Sequence, residues 1–326
     1  MSLLTAFRPG EVWLDTAGEP IQAHGGGVLF HEGIYYWYGE NKDAENETVI
    51  QEIEGRQQTV VRRRVPVRGV SCYSSTDLYN WTHAGIVLPA VPNDPEHDLH
   101  PSRVMERPKV LYNRPTGTFV MWFHADSADY RDACAGVAVA DAPAGPFHYL
   151  GSCRPHDAMS RDMTLFQDND GKAYHIHSSE ENRTLHVTLL SDDFRQPAGP
   201  YARIFENQSR EAPAWFTHNG RYHMISSGCT GWAPNRAEHA VADTPFGPWQ
   251  SLGDPCVGPS AERTFEGQST HVLPVHGKPG QFILMLDQWN PTALRESRYV
   301  WLPIEFDGDR LRIAWRDRWS LADQPG

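Results

Sequence analysis

Short apolar runs, each opened by a polar residue, recur along the chain at nearly even intervals. Glu106, Asp162, Glu211 and Gln268 open four such runs, and His24 opens an earlier one with the same outline. The last four openers are 56, 49 and 57 residues apart. Repeats of this size are typical of radial or solenoid folds, and about 40–50 residues suit one four-stranded propeller blade. The five runs therefore predict the innermost strands of five blades.

Hairpin signals follow the five runs within a few residues. A turn residue and a glycine precede a β-rich run at Glu32-Gly33, Thr116-Gly117, Asp170-Gly171, Asn219-Gly220 and Pro279-Gly280. Such pairs are typical of the turn between two antiparallel strands. A second repeated motif, an Asp-containing turn that ends at an aromatic residue, predicts the outer half of the blades at 75–81, 140–147, 191–194 and 242–249.

Together these patterns predict an all-β fold, a five-bladed β-propeller, with a β-sandwich or β-helix as the alternative. The 27 glycines and 25 prolines are spread evenly, and no linker composition divides the sequence. We therefore expect a single catalytic domain over residues 1–326. A segment at about 43–68, rich in Glu, Gln and Arg, is predicted to be a solvated insertion; a partner-binding element is the alternative for its basic cluster Arg62-Arg63-Arg64.

Composition excludes several classes of partner. The formal net charge of −12 argues against nucleic acid, because phosphate neutralisation needs clustered Lys and Arg. No stretch reaches the roughly 18 apolar residues of a membrane span, so no membrane partner is predicted. The first residues do not read as a signal peptide. The compartment stays open, cytoplasmic as the sequence stands or secreted or periplasmic if a signal was removed, and so does the oligomeric state.

Metal-binding patterns are weak. Five cysteines without a C-x-x-C spacing predict neither a disulfide framework nor a zinc site. His175 and His177 share a strand face, but two ligands alone make a poor metal site, so we interpret them as structural. His24 and His271 stand at blade openings, where a central water or ion could be held. No cofactor is predicted to be required, and a structural Ca²⁺ in the central channel is the alternative.

The polar openers are the candidate chemistry. The innermost strands of a propeller start at the same rim of its channel, so Glu106, Asp162, Glu211 and Gln268 are expected to converge. Three carboxylates and an amide in one pocket suit a sugar-cleaving site. Glu211 is flanked by apolar residues, and burial raises a carboxyl pKa and keeps the group protonated for donation. The alternative for Glu211 is an ion pair with Arg210.

The other three openers have narrower roles. Asp162 can raise the pKa of a neighbouring acid by charge repulsion, or it caps a turn at a strand start. Glu106 can bind sugar hydroxyls or activate water, or it forms a salt bridge with Arg107 or Lys109. Gln268 is expected to bind a hydroxyl, since an amide is not ordinarily a base and a two-carboxylate mechanism would have to recruit another group.

Eight segments, spread over about residues 11–320, carry a resemblance to a known family. They are Ala23-His-Gly-Gly-Gly, Tyr36-Trp-Tyr-Gly-Glu40, Glu106-Arg-Pro-Lys-Val, Ser160-Arg-Asp-Met-Thr, Arg210-Glu-Ala-Pro, Ser227-Gly-Cys-Thr-Gly-Trp232, Gly267-Gln-Ser-Thr and Ser297-Arg-Tyr-Val-Trp-Leu-Pro. Jointly they resemble glycoside hydrolase family 43, the five-bladed propeller family, and most closely its exo-β-1,3-galactanase-like branch.

The resemblance implies roles for the catalytic openers. Glu211 would be the general acid and Asp162 the carboxylate that tunes its pKa. Family members usually carry an Asp base at the start of the first blade, whereas this stretch reads Ile21-Gln-Ala-His-Gly-Gly. The galactanase-like branch shares that absence, and Gln268 matches the glutamine that takes over as an imidic acid tautomer. Glu106 matches a residue that contacts the terminal sugar.

By the same likeness Glu40, Tyr130 and Thr230 would line the first subsite, and His24 is placed with them as substrate-binding. The expected function is inverting, exo-acting release of galactose from β-1,3-galactan or arabinogalactan-type glycans, with an oligo- or polysaccharide as the partner. A family 43 arabinofuranosidase or xylosidase is one alternative. A non-catalytic glycan-binding propeller, suggested by the missing Asp, is another. The insertion follows Glu40 and is expected to reshape the pocket.

Overall fold

Five sheets follow one another along the chain in the computed structural model, which describes residues 3–53 and 56–323. The first sheet is formed by β1 (His24–His31), β2 (Ile34–Glu40) and, after an inserted hairpin of β3 (Thr48–Ile53) and β4 (Arg56–Val61), by β5 (Gly69–Ser75) and β6 (Thr82–Pro89). The second contains β7 (Val104–Asn113), β8 (Thr118–Asp126), β9 (Cys134–Ala140) and β10 (His148–Cys153).

The remaining three sheets repeat this plan. The third contains β11 (Met163–Gln167), β12 (Ala173–Ser179), β13 (Thr184–Leu190) and β14 (Pro197–Ile204). The fourth contains β15 (Arg210–His218), β16 (Arg221–Gly228), β17 (Glu238–Ala242) and β18 (Gln250–Gly253). The fifth contains β19 (Cys256–Val257), β20 (Gln268–Pro274), β21 (Phe282–Gln288), β22 (Arg298–Asp307) and β23 (Arg310–Ala314), with β19 parallel to β23 at its outer edge.

The innermost strands close a ring. β1 contacts β7, β7 contacts β11, β11 contacts β15, β15 contacts β20, and β20 returns to β1. This confirms the five-bladed propeller and excludes the sandwich and the β-helix. The helical segments of the described chain are short 3₁₀ turns at Pro155–Asp157, Ala261–Glu266 and Leu294–Glu296. In the described residues, no helix has the length and apolar character that crossing a membrane requires.

The core consists of apolar layers between neighbouring blades. The layer between the fifth and first blades is aromatic and buries Trp37, Trp81 and Trp301. It also contains Phe7 and Trp319, whose rings stack with centroids 4.4 Å apart. Their backbones pair as well, since the N–H of Phe7 donates to the carbonyl of Trp319 at 2.8 Å. Segments from the two ends of the described chain therefore meet beside this layer.

A β-bulge follows the opening residue in four of the five innermost strands. The register shifts between His24 and Gly27, between Glu106 and Lys109, between Glu211 and Ala214, and between Ser269 and His271. Two of these strands read Glu-x-Pro. Proline has no N–H for the ladder and is accommodated at bulges. The residues before Pro108 and Pro213 take positive φ angles, 57° at Arg107 and 52° at Ala212. Bulges re-aim the neighbouring side chains, here at the channel rim.

The insertion is a hairpin whose return segment packs on the rim. Its strands expose Ile50 and Val61, as expected of a solvated element, but Val65 is buried. Residues 54 and 55 of the predicted insertion lie outside the described residues. Asn46 donates to the carbonyl of Pro291 and accepts the N–H of Leu294, both at 3.0 Å. These bonds fix the base of the insertion to the loop that follows β21.

Candidate active site

The four predicted openers converge. Glu106, Asp162, Glu211 and Gln268 line one pocket of about 310 Å³ at the channel rim, a volume within the range of small-molecule sites. The remaining lining residues are Glu40, Arg107, His124, Tyr130, Arg161, Asn182, Gly231, Trp232 and Trp289. Two residues that the sequence assigned to the first subsite, Glu40 and Tyr130, are therefore beside the openers.

Arg107 connects the openers through its side chain and its backbone. Its Nη2 lies 3.0 Å from Oδ2 of Asp162 and 2.5 Å from Oε1 of Gln268. Its Nη1 donates to the carbonyl of Ser269 at 2.8 Å, and its backbone N–H donates to Oε1 of Glu40 at 2.9 Å. The left-handed backbone of the bulge places Arg107 where its guanidinium crosses the channel. This cation balances the carboxylates around it.

The orientation of the Gln268 amide follows from its neighbours. Arg107 and the indole of Trp289, whose Nε1 is 3.2 Å from Oε1 of Gln268, have only N–H groups to offer. They identify the atom they contact as the amide oxygen. The Nε2 atom then donates to Oε1 of Glu211 and to Oγ of Ser227, each at 3.0 Å. Two donors at the oxygen and two oxygen partners at the nitrogen are the contacts that suit an amide.

Glu211 keeps its proton to a higher pH than an ordinary carboxyl group does. Burial is the main cause, and the charge of Asp162 adds to it, so that the pKa of Glu211 is raised to about 7. Arg107 acts in the opposite direction. Arg210 turns away and donates to Oγ and the carbonyl of Ser226 at 3.1 and 2.7 Å. Among the described contacts, the alternative ion pair between Arg210 and Glu211 is absent.

Glu106 belongs to a charged chain of three side chains. Its Oε1 accepts the hydroxyl of Tyr130 at 2.9 Å, and its Oε2 lies 3.4 Å from Nδ1 of His124. Nε2 of His124 lies 2.8 Å from Oδ2 of Asp126. Burial opposes ionisation of Glu106, but the hydrogen bond from His124 and the charge of Lys42 lower the pKa of Glu106 to about 2. The carboxylate is therefore ionised at neutral pH.

The partners of Glu106 differ from those considered in the sequence. Neither Arg107 nor Lys109 pairs with it: Arg107 contacts Asp162, and Nζ of Lys109 donates to the carbonyl of Gly25 at 2.8 Å. The bulge explains the difference, because it turns Arg107 away from the residue that precedes it. The partner, His124, stands opposite Glu106 on the paired strand β8.

A metal ion in this pocket would need His124 as a ligand, but both ring nitrogens of His124 already face carboxylates. In the described chain, Glu106, His124 and Asp162 offer ligand atoms within 4.8 Å of one another. Burial disfavours a charged His124, but hydrogen bonds to Asp126 and Glu106 raise the pKa of His124 to about 9. With both nitrogens protonated, the ring has no lone pair for a metal.

The other residues considered as metal ligands lie elsewhere. The five cysteines are free thiols. The rings of His175 and His177 stack on each other and are buried.

Two residues assigned to substrate binding do not line the pocket. Thr230 lies in the loop before Trp232, where its hydroxyl donates to the carbonyl of Ala233 at 2.6 Å. His24 is fully buried, and its ring stacks on Tyr299 with centroids 4.8 Å apart. Burial, with a contribution from the charges of Lys42 and Arg298, lowers the pKa of His24 to about 3. His24 is thus a neutral group outside the lining of the pocket.

The sequence reasoning missed a buried carboxylate. Asp287 faces Gln268 across the β20–β21 pair and accepts the backbone N–H of Gly25. Burial raises the pKa of Asp287 to about 7. The sequence contained a signal for Asp287. The second strand of each blade is antiparallel to the first and ends at the rim where the first strand starts, so a polar residue at the end of a second strand is expected to lie at that rim. Glu40 on β2 and His124 on β8 likewise stand opposite the openers His24 and Glu106.

Comparisons with known proteins agree with this geometry. The sequence profile described as glycosyl hydrolases family 43 matches residues 58–271. A comparison with curated proteins found no match. Among solved structures, a family 43 β-1,3-galactosidase with galactodeoxynojirimycin is 43% identical, with a TM-score of 0.86 over 97% of this chain and 100% of that one.

Two exo-β-1,3-galactanases are similar over nearly all of this chain. The enzyme from Phanerochaete chrysosporium, in a structure with galactose, is 35% identical, with a TM-score of 0.85 over 97% of this chain and 68% of that one. The enzyme from Clostridium thermocellum is 37% identical, with a TM-score of 0.83 over 96% of this chain and 66% of that one. Each of the three relatives therefore shares the complete propeller with this chain.

Proposed function

Since the chain belongs to glycoside hydrolase family 43 and is therefore a glycoside hydrolase, we propose that it releases galactose from the ends of β-1,3-linked galactans with inversion. The similar structures are those of a β-1,3-galactosidase and of exo-β-1,3-galactanases, two of them with galactose or galactodeoxynojirimycin. One observation carries the proposal: Glu211, Asp162, Gln268 and Glu106 line a single pocket. Its volume of about 310 Å³ is within the range of sites that hold a small molecule, such as one terminal sugar.

Glu211 supplies the proton to the glycosidic oxygen. A carboxyl group whose pKa is raised to about 7 keeps its proton until the leaving group needs it. Asp162 contributes to this pKa by its charge, and the bond from Nε2 of Gln268 orients the carboxyl group. On the strength of these contacts we assign Glu211 the role of the acid, Asp162 that of the carboxylate that tunes its pKa, and Gln268 that of a positioning group.

Water attacks the anomeric carbon from the face opposite the acid, held by Glu106. The two donors on Oε1 of Gln268 support the amide form, which has no free lone pair on nitrogen to take a proton. Its two N–H groups are taken by Glu211 and Ser227, so the amide has no group left to hold the water. Glu106 is ionised, and its carboxylate can accept a proton. We therefore assign Glu106 both the placement of the water and the acceptance of its proton, in place of the imidic acid tautomer of Gln268 expected from the family resemblance.

No metal takes part in this proposal. The protonated ring of His124 lies between Glu106 and Asp126 and offsets one of their two negative charges, as a bound cation would. The structural Ca²⁺ considered for the central channel stays a prediction. The non-catalytic alternative is set aside, because the chain belongs to a family of hydrolases and its pocket contains a proton donor.

Product analysis tests the proposal. Incubation with β-1,3-galactotriose should release galactose and galactobiose first, and NMR should show the new anomeric centre as α. A matched panel of aryl β-galactoside, α-arabinofuranoside and β-xyloside decides the sugar. Faster hydrolysis of the arabinofuranoside or xyloside would replace the galactanase by the alternative family 43 activities.

A further inference from the structure

A second cavity adjoins the pocket that contains the openers. It measures about 290 Å³ and shares Glu40, Glu106, Tyr130 and Trp232 with that pocket. Its outer wall is formed by residues 62–68, the return segment of the insertion. Because four side chains belong to both cavities, a sugar chain that ends in the first one has a path into the second.

The wall of this cavity is strongly basic in a protein of net charge −12. Two carboxylates, Glu40 and Glu106, face six cationic side chains: Lys42, Arg62, Arg63, Arg64, Arg68 and Arg103. The concentration of positive charge is therefore local and does not follow from the overall composition.

Four of the cations are already paired. Lys42 lies 2.7 Å from Glu40, and Arg103 lies 2.8 Å from Asp132. Arg62 and Arg64 share a single carboxylate, Glu47, at 3.7 and 3.5 Å. The paired cations form part of the wall, and the carboxylates beside them offset most of the positive charge that a ligand would meet.

Two cations have no carboxylate partner. Arg68 donates to the carbonyl of Asp43 at 2.7 Å and forms no ion pair with a described residue. Arg63 is exposed, and no hydrogen bond or ion pair joins it to any part of the chain that the structure describes. A guanidinium offers parallel N–H donors that match a carboxylate or another oxyanion. The cavity thus presents one guanidinium without a partner among the described residues, that of Arg63, and one whose charge no described carboxylate balances, that of Arg68, beside the sugar pocket.

The wall is also anchored. Arg64 donates to the carbonyls of Ser102 and Arg103, the latter at 2.9 Å, so the segment is joined to the second blade. Val65 is buried beneath it. A basic segment fixed to the propeller loses less entropy on binding than a free loop would.

We propose that this cavity binds an anionic group on the substrate chain, a uronate carboxylate or a sulfate ester, next to the galactose being released. The inference rests on the proposed function, because that function places a glycan in the adjoining pocket. Arg63 and Arg68 receive the anion, and the face of Trp232 packs against the sugar that carries it. The insertion would thereby select charged galactans over neutral ones.

The test compares three forms of one β-1,3-galacto-oligosaccharide: neutral, with one glucuronate branch, and with one sulfate ester. The R63Q/R68Q double variant is compared with wild type and with R310Q/R318Q, which removes two charges that line neither cavity. We expect wild type to prefer an anionic form in kcat/KM and R63Q/R68Q to lose about tenfold of that preference. Unchanged activity on the neutral form shows that the variant is folded.

The two anionic arms identify the source of the charge, since preference for either one supports the inference. Equal kcat/KM for all three substrates in wild type, or an equal loss in R310Q/R318Q, overturns it. If no galactan is cleaved, the proposed function fails, and calorimetry with the glucuronate- and sulfate-bearing chains still decides. Binding that does not weaken in R63Q/R68Q, or no binding by wild type, overturns the inference separately.

Discussion

Nε2 of Gln268 donates a hydrogen bond to Oε1 of Glu211 at 3.0 Å. Nε2 also donates to Oγ of Ser227, and Arg107 and Trp289 hold the amide oxygen on the other side, so four contacts fix the orientation of the amide. Gln268 therefore fixes the position of the Glu211 carboxyl group, which we assign as the acid, relative to the guanidinium of Arg107. This relationship decides what each substitution in the pocket should do.

Replacing the acid tests its role directly. Glu211→Gln keeps the shape and removes the proton, so kcat/KM on β-1,3-galactobiose should fall by about 10²–10⁴. An aryl β-galactoside with a strongly acidic phenol needs little protonation and should lose far less. Steady-state kinetics on the two substrates measure the difference, and equal losses would argue against general acid catalysis by Glu211.

The charge of Asp162 should set the alkaline limit of activity. The acid works when protonated, so activity falls as pH rises through the pKa of Glu211, about 7. Asp162→Asn removes a negative charge that, with burial, raises the pKa of Glu211. The substitution should therefore lower that pKa and move the alkaline limb of the pH profile to lower pH. A pH profile of kcat/KM, which reports the pKa of the acid in the free enzyme, records the shift. An unchanged limb would show that burial alone sets the pKa.

Glu106 should be needed for activating water. Glu106→Gln removes the ionised carboxylate, and kcat should fall by about 10²-fold or more. Azide needs no base, so it should restore turnover and give galactosyl azide of inverted configuration. Tyr130→Phe, which removes only the 2.9 Å bond to Glu106, is the matched control and should need no azide. Failure of azide to rescue Glu106→Gln would remove the assignment.

Asp287 should make stability depend on pH. Burial raises its folded pKa from 3.8 to about 7, so its contribution to stability is full at low pH and is lost as pH rises from about 4 to 7. The slope is at most about 1.4 kcal/mol per pH unit. Asp287→Asn keeps an acceptor for the N–H of Gly25 and should flatten this dependence. Urea unfolding of both proteins at pH 5 and pH 8 measures it; parallel curves would contradict the prediction.

The pattern of openers predicted the fold and the centre of the site because propeller symmetry converts sequence period into spatial proximity. The period could not show which way each side chain turns. Glu-x-Pro at Glu106 and Glu211 produces bulges, and these separate Glu106 from Arg107 and join Arg107 to Asp162. The ion pairs between sequence neighbours, which were the alternatives to these roles, are therefore not formed in the part of the chain that the structure describes.

His24 shows a second limit of predicting pocket residues from the sequence repeat. It opens a run as the other four do, yet glycines follow it where a side chain would collide: a Cβ at Gly26 would meet the carbonyl of Tyr38. The first two strands approach so closely here that His24 is enclosed. Trp232 and Trp289 were missed for another reason, since they stand on loops that carry no repeat.

The pairing of Phe7 with Trp319 joins the segment before the first blade to the segment after the fifth blade, beside the place where these two blades meet. During synthesis, the second, third and fourth blades can assemble as they emerge, whereas the aromatic layer between the fifth and first blades cannot form until Trp301 and Trp319 have been made. Until then Trp37 and Trp81 lack their apolar partners from the fifth blade. The edge of the first blade is therefore the apolar surface of the nascent protein that stays uncovered longest, and the one that a chaperone would have the most reason to protect.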